Sequence, residues 1–106
     1  MKVLNLTPHT VRVAGRDIPP SGRVARVSAS YQQVGEIAGL PVYRAVFGPV
    51  EGLPSPEPET AFVVSAMVAQ ACQGRTDVYC PATGHPDCQR DAQGRITGVP
   101  GLIGPA

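Results

Sequence analysis

TAFVVSAMVAQACQGRTDVY, residues 60–79, reads as a strand, a helix and a second strand in immediate succession. Ala61-Phe62-Val63-Val64 is apolar and rich in β-branched and aromatic side chains, the composition of a buried strand. Ser65 follows, a preferred N-cap whose oxygen accepts from an orphan N–H of the first helical turn. Ala66 to Cys72 has helix-forming composition. Met67, Val68, Ala71 and Cys72 share one face at helical spacing. Gly74 suits the left-handed residue that ends a helix. Asp77 to Cys80 then reads as a strand stopped by Pro81. A helix of about two turns is not stable alone. The spacing therefore predicts one short helix, about 65–73, packed on a sheet.

Working outward, the chain has 106 residues, the size of a single domain spanning 1–106. Aromatics number only three Tyr and two Phe, so Val, Ile, Leu and Ala must fill the core. Twelve Gly and twelve Pro predict many turns between short elements. Val3-Leu4-Asn5-Leu6 reads as the first strand, and Thr7-Pro8-His9 breaks it. Thr10 to Val13 and Val24 to Val27 alternate polar and apolar residues, as strands with one wet face do. Tyr31 to Ile37 and Pro41 to Phe47 form a hairpin around Ala38-Gly39-Leu40. Gly48 to Glu59, with four Pro and three Glu, reads as a stiff acidic loop. Asp87 to Arg90 and Arg95 to Val99 pair across Asp91-Ala92-Gln93-Gly94. The tail from Pro100 carries no pattern and is expected to fray. The fold class that follows is α+β, a mostly antiparallel sheet or partial barrel with one short helix.

A formal net charge of +1 offers no field for nucleic acid or a membrane surface. The cations are scattered and few aromatics are available for stacking on bases. No apolar run reaches the length of a membrane span, and no signal-length apolar core precedes Thr7-Pro8-His9. The expected location is the cytoplasm. An odd count of three Cys argues against a disulfide framework.

Four stretches, LNLTPHTVRV at 4–13, IPPSGRVARV at 18–27, TAFVVSAMVAQA at 60–71 and RDAQGRITGV at 90–99, together resemble a family of small proteins. That family belongs to actinobacterial and other bacterial genomes and to phages and prophages. The family's R-x-D-V-x-x-P pattern after the helix is matched by Arg75, Asp77, Val78 and Pro81. Cys at positions 80 and 88 is not characteristic of it. The resemblance implies a genomic context rather than a mechanism, and it favours a small binding or inhibitor protein over a housekeeping enzyme.

Two places can hold a ligand. One is the strand-to-helix junction at Ser65, where free N–H groups suit an anion and Arg75, Arg12 or His9 can add charge. Helix capping alone also explains Ser65. The other is Thr7-Pro8-His9, where a lone His between strands can be a base or ligand contact, or can simply help fix a bend. Thr7, His9, Arg12, Ser65, Arg75 and Asp77 are thus the candidate ligand-binding residues. Cys80, His85 and Cys88 are zinc ligand types at a spacing that matches no standard site, so no metal or other cofactor is expected. Ser65, His9 and Asp77 or Asp91 can be written as a hydrolase triad, but no G-x-S-x-G elbow surrounds Ser65, and no phosphate-binding glycine loop occurs.

The function expected from the sequence is a non-enzymatic binding protein. It recognises a small anionic, nucleotide-like ligand, and in a phage context it can sequester a signal of host defence. The alternatives are a protein–protein inhibitor or self-assembling homo-oligomer, and a small hydrolase using Ser65 and His9.

Overall fold

The computed structural model describes residues 1–105. Ten strands and one helix follow in the order β1 (Lys2–Asn5), β2 (Val11–Val13), β3 (Arg16–Ile18), β4 (Arg26–Ile37), β5 (Leu40–Glu51), β6 (Thr60–Val63), α1 (Ala66–Ala71), β7 (Val78–Pro81), β8 (Gln89–Arg90), β9 (Ile96–Gly98) and β10 (Leu102–Ile103). The central sheet has the order β1-β6-β7-β10. β6 lies parallel to both β1 and β7, and β7 pairs antiparallel with β10. The other three pairs, β2–β3, β4–β5 and β8–β9, are antiparallel hairpins. Among the described residues the strands are mostly antiparallel, the helix is single and short, and no barrel closes, so the class is α+β.

All four residues of β6 are buried, because this strand has neighbours on both edges and layers on both faces. Phe62 and Val64 face one way and join Leu6, Ala25, Val78, the helical Val68 and the C-cap Cys72 in the main core. Ala61 and Val63 point the other way and are buried too. On that second side the β2–β3 hairpin is tied to the sheet by Asn5 Nδ2 donating to Ile18 O at 2.9 Å.

The helix spans 66–71, with Ser65 as its extended N-cap accepting from Val68 N. The expected helical face is half right. Val68 and Cys72 are buried, whereas Met67 is 46% exposed, one position too far round toward solvent. The tail does not simply fray: Leu102 and Ile103 pair with Pro81 and Cys80 and close the sheet's far edge.

The largest departure from the sequence reading is the hairpin. β4 and β5 are each 12 residues long, so β5 consumes the start of the expected acidic loop. The connection is the pair Ala38-Gly39 with φ of 52° and 81°, the doubly positive turn that matches strand twist. Its base packs on the body through Val27 and Val50. The rest projects as an arm. The radius of gyration is 15.7 Å, against about 13 Å for a compact domain of this length.

Candidate functional site

The LNLTPH segment is organised by a residue the sequence reading passed over. Asn5 is 1% exposed, yet both side-chain ends are fully used. Its Nδ2 donates to His9 O at 2.7 Å and Ile18 O at 2.9 Å. Its Oδ1 accepts from Thr7 N at 2.9 Å and Thr7 Oγ1 at 2.6 Å. Its backbone carbonyl accepts from Ser21 N and Ser21 Oγ. One amide side chain therefore fixes the Thr7-Pro8-His9 bend, and the residue as a whole also holds the Pro19-Pro20-Ser21 turn against the sheet. Thr7 spends its hydroxyl inside this network, with His9 O as a further acceptor at 3.0 Å. His9 contributes its carbonyl to the bend, and the residue is exposed. The available signal was an amide flanked by two leucines in a strand, with Thr two positions later where an Asx-turn places its N–H.

Ser65 and Arg75 lie at opposite ends of α1. A six-residue helix sets them about 10 Å or more apart. Ser65 is exposed, and its hydroxyl accepts from Val68 N at 3.3 Å, which is the cap. Arg75 is held in a two-pronged contact with Asp77, Nε to Oδ1 and Nη2 to Oδ2, both at 2.9 Å. Its Nη2 also donates to Pro54 O at 3.1 Å, so the fork pins the 52–59 loop to the start of β7. The Arg75 hydrogen bonds hold the Asp77 carboxyl below the usual carboxylate range, and the same bonds raise the Arg75 guanidinium. The matched pattern Arg75-x-Asp77-Val78-x-x-Pro81 is thus an ion-pair clamp followed by a core strand. Ser65, His9 and Asp77 do not form a hydrogen-bonded triad, because Asp77 is committed to Arg75 and the Ser65 hydroxyl to its helix.

Arg12 on β2 is more available. Its side chain is over half exposed, and its Nε reaches Asp17 only at 3.9 Å. It lies between two small hollows of about 160 and 200 Å³, one shared with Asp87 and Gln89, the other with Thr10 and Thr83. A larger groove of about 430 Å³ lies elsewhere, between Met1, Val3, Val13, Ile18 and Leu102, with both Arg16 and Asp17 in its lining. None of the six candidate residues lines that groove.

Burial disfavours the thiolate at two of the three cysteines. Burial pushes Cys72 up, only partly offset by Arg75, and burial likewise raises Cys80. Cys88 Sγ donates to Gly98 O at 3.4 Å, and His85 Nδ1 accepts from Asp87 N at 3.0 Å. Among the described residues no three His, Cys, Asp or Glu side chains gather as a metal ligand set. Among the same residues no helix is long and apolar enough to cross a membrane.

The feature with most unsatisfied surface is the β4–β5 arm. Tyr31 (72% exposed), Ile37 (68%), Leu40 (67%) and Tyr43 (57%) stand in solvent, with Val34 and Val46 also exposed. Among the described residues no backbone hydrogen bond from outside the hairpin reaches either strand, so both edges are open. No protein-family model matches the chain, no curated protein matches it in sequence, and no solved structure matches its fold.

Proposed function

We propose that the protein is a non-enzymatic interaction module that engages a protein partner through the β4–β5 arm. The observation that carries this reading is the apolar exposure of the arm, with four large side chains each more than half bare on a two-stranded ribbon. An isolated hairpin is marginal in water and gains stability when further strands or a covering layer pack on it. The pairing register puts Tyr31 and Tyr43 on one face of the ribbon and Ile37 and Leu40 on the other, so each face carries exposed large apolar side chains that a partner can cover. The interaction reading is preferred to the hydrolase alternative because Ser65 is engaged as a helix cap and Asp77 by Arg75. NMR of isotope-labelled protein tests the proposal. Signals of Tyr31 and Tyr43 are expected to shift or broaden on raising the protein concentration or on adding lysate of the source cells. Arm signals unmoved under both conditions would end it.

A second reading keeps a small anionic, nucleotide-like ligand, with sequestration of a defence signal as its concrete form. What favours it is the 430 Å³ groove, of ligand size, lined by Arg16, with Asp17, the partner of Arg12, also in its wall. Arg16 enters none of the ion pairs among the described residues. Titration calorimetry against a nucleotide panel decides: no heat from any member removes this reading, and heat lost in Arg16→Ala places the ligand in the groove.

A further inference from the structure

The two edges of the arm are not alike. β5 carries Pro41 and Pro49, which cannot donate to a neighbouring strand, and Arg44 between them. It also holds an extra residue near Gly48-Pro49, where Val27 to Ala29 faces Val50 to Phe47. Proline, charge and a bulge are the devices by which proteins blunt an edge. β4 has none of them over Val27-Ser28-Ala29-Ser30-Tyr31-Gln32-Gln33. Its one extra residue, Val34, and its Glu36 come after this run. Seven residues without charge, proline or glycine, on an open edge, form a strand that readily accepts another strand.

We infer that the partner seated on this edge is a second copy of the same chain, paired antiparallel β4 to β4 about a two-fold axis within Val27–Gln33. This rests on the interaction-module reading and names its occupant. Charge selects this occupant. In an isologous contact the same segment meets itself, so any charge near the axis faces its own sign. β5 would bring Arg44 toward a second Arg44. β4 presents no charge over the run, so it meets itself without repulsion, and it offers an acidic or basic partner nothing to select. Pairing also converts two marginal two-stranded ribbons into one four-stranded sheet, which can be stable by itself.

The area sets the strength. Seven rungs at about 3.3 Å run about 23 Å, with strands about 4.8 Å apart. Such an edge covers well under the ~800 Å² per partner of a standard interface. The association is therefore reversible and weak, with monomer dominant on dilution.

Sedimentation velocity across a dilution series tests this with two variants that add the same charge to the same hairpin. Ser30→Lys puts a lysine on β4, and Ala45→Lys puts one on β5. Tyr31 faces Ala45 and Ser30 faces Val46, so the two sites are close neighbours across the ribbon. The expected result is a concentration-dependent dimer weakened at least tenfold by Ser30→Lys and changed less than twofold by Ala45→Lys. Circular dichroism confirms that both variants stay folded. Equal weakening by both overturns the edge assignment. A wild-type chain that stays monomeric at the highest concentration overturns self-pairing. Shifted arm signals in lysate would then leave the broader interaction reading standing, so the two failures are distinguishable.

Discussion

Asn5→Asp replaces one Nδ2 group by oxygen and changes nothing else in shape. In the wild type that nitrogen donates to two carbonyls, of His9 and Ile18, at 2.7 and 2.9 Å. The variant loses both bonds and turns each contact into an oxygen–oxygen repulsion in a site that is 1% exposed. A typical hydrogen bond contributes about 1 kcal/mol net, and each buried group left without a partner costs about 1–3 kcal/mol. The expected loss at neutral pH is about 3–5 kcal/mol, a large share of the ~5–15 kcal/mol that holds a domain. The loss is pH-dependent with a definite sign. Burial against two carbonyls raises the folded-state pKa of the new carboxyl above its unfolded value of about 3.9. The destabilisation is thus full above the folded pKa and shrinks as pH falls toward the unfolded value, because the protonated acid regains one donor. Asn5→Ala removes the same bonds without a titrating group, so its loss is flat over that window. Urea unfolding of all three proteins at pH 7 and pH 4.5 provides the measurement. An Asn5→Asp variant within about 1 kcal/mol of wild type at pH 7, or equally destabilised at both pH values, would refute the role assigned to Asn5.

Three further outcomes follow from the same geometry. Asp77→Ala leaves Arg75 with only Pro54 O and is expected to cost about 2–3 kcal/mol, reduced toward the lower figure by the partial exposure of Arg75. Because the Asp77 pKa is lowered in the fold, the wild-type chain holds this stability above the unfolded value near 3.9 and loses it as pH falls through the folded value; Asp77→Ala is expected to flatten that acid limb in urea titrations. Ser65→Ala removes the cap of a six-residue helix and is expected to cost about 1 kcal/mol in thermal or urea unfolding, with arm association unchanged. Gly52→Ala is expected to lose about 2 kcal/mol, since φ is 81° there and a methyl group would overlap the Val24 carbonyl oxygen; calorimetric unfolding reads the shift.

Local signals carried part of the fold. The continuous apolar run before Ser65 identified β6 and its helix because both are specified within a few residues of themselves. Ala38-Gly39 located the arm's turn for the same reason. Its length was not legible, because alternation in Val42 to Val50 marks a strand without saying whether anything covers it. Leu102 and Ile103 carry too little pattern to be read, and only the open edge of β7 makes them a strand. The candidate site divided similarly. Ser65 as a cap follows from its residue type and position. The Arg75–Asp77 fork could be seen in sequence as two charges two apart, but its third partner, Pro54 O, lies far back in the chain. Asn5 was hidden because its acceptors are backbone carbonyls, which leave no trace in residue identity.

β1 and β6 are parallel neighbours separated by the whole first half of the chain, with Lys2 opposite Thr60 and Asn5 opposite Val63. A ribosome makes β1 first and its partner more than fifty residues later. During that interval the arm, whose contacts are local, can close quickly, while β1 has no strand to pair with. The uncharged run Val27–Gln33 of the β4 edge is therefore exposed before the body it belongs to exists. Polysomes carrying many such chains bring those edges close together at the stage when folding is least complete. The blunted β5 edge then limits how far pairing can spread, since a chain joined at β4 offers a poor surface for a third.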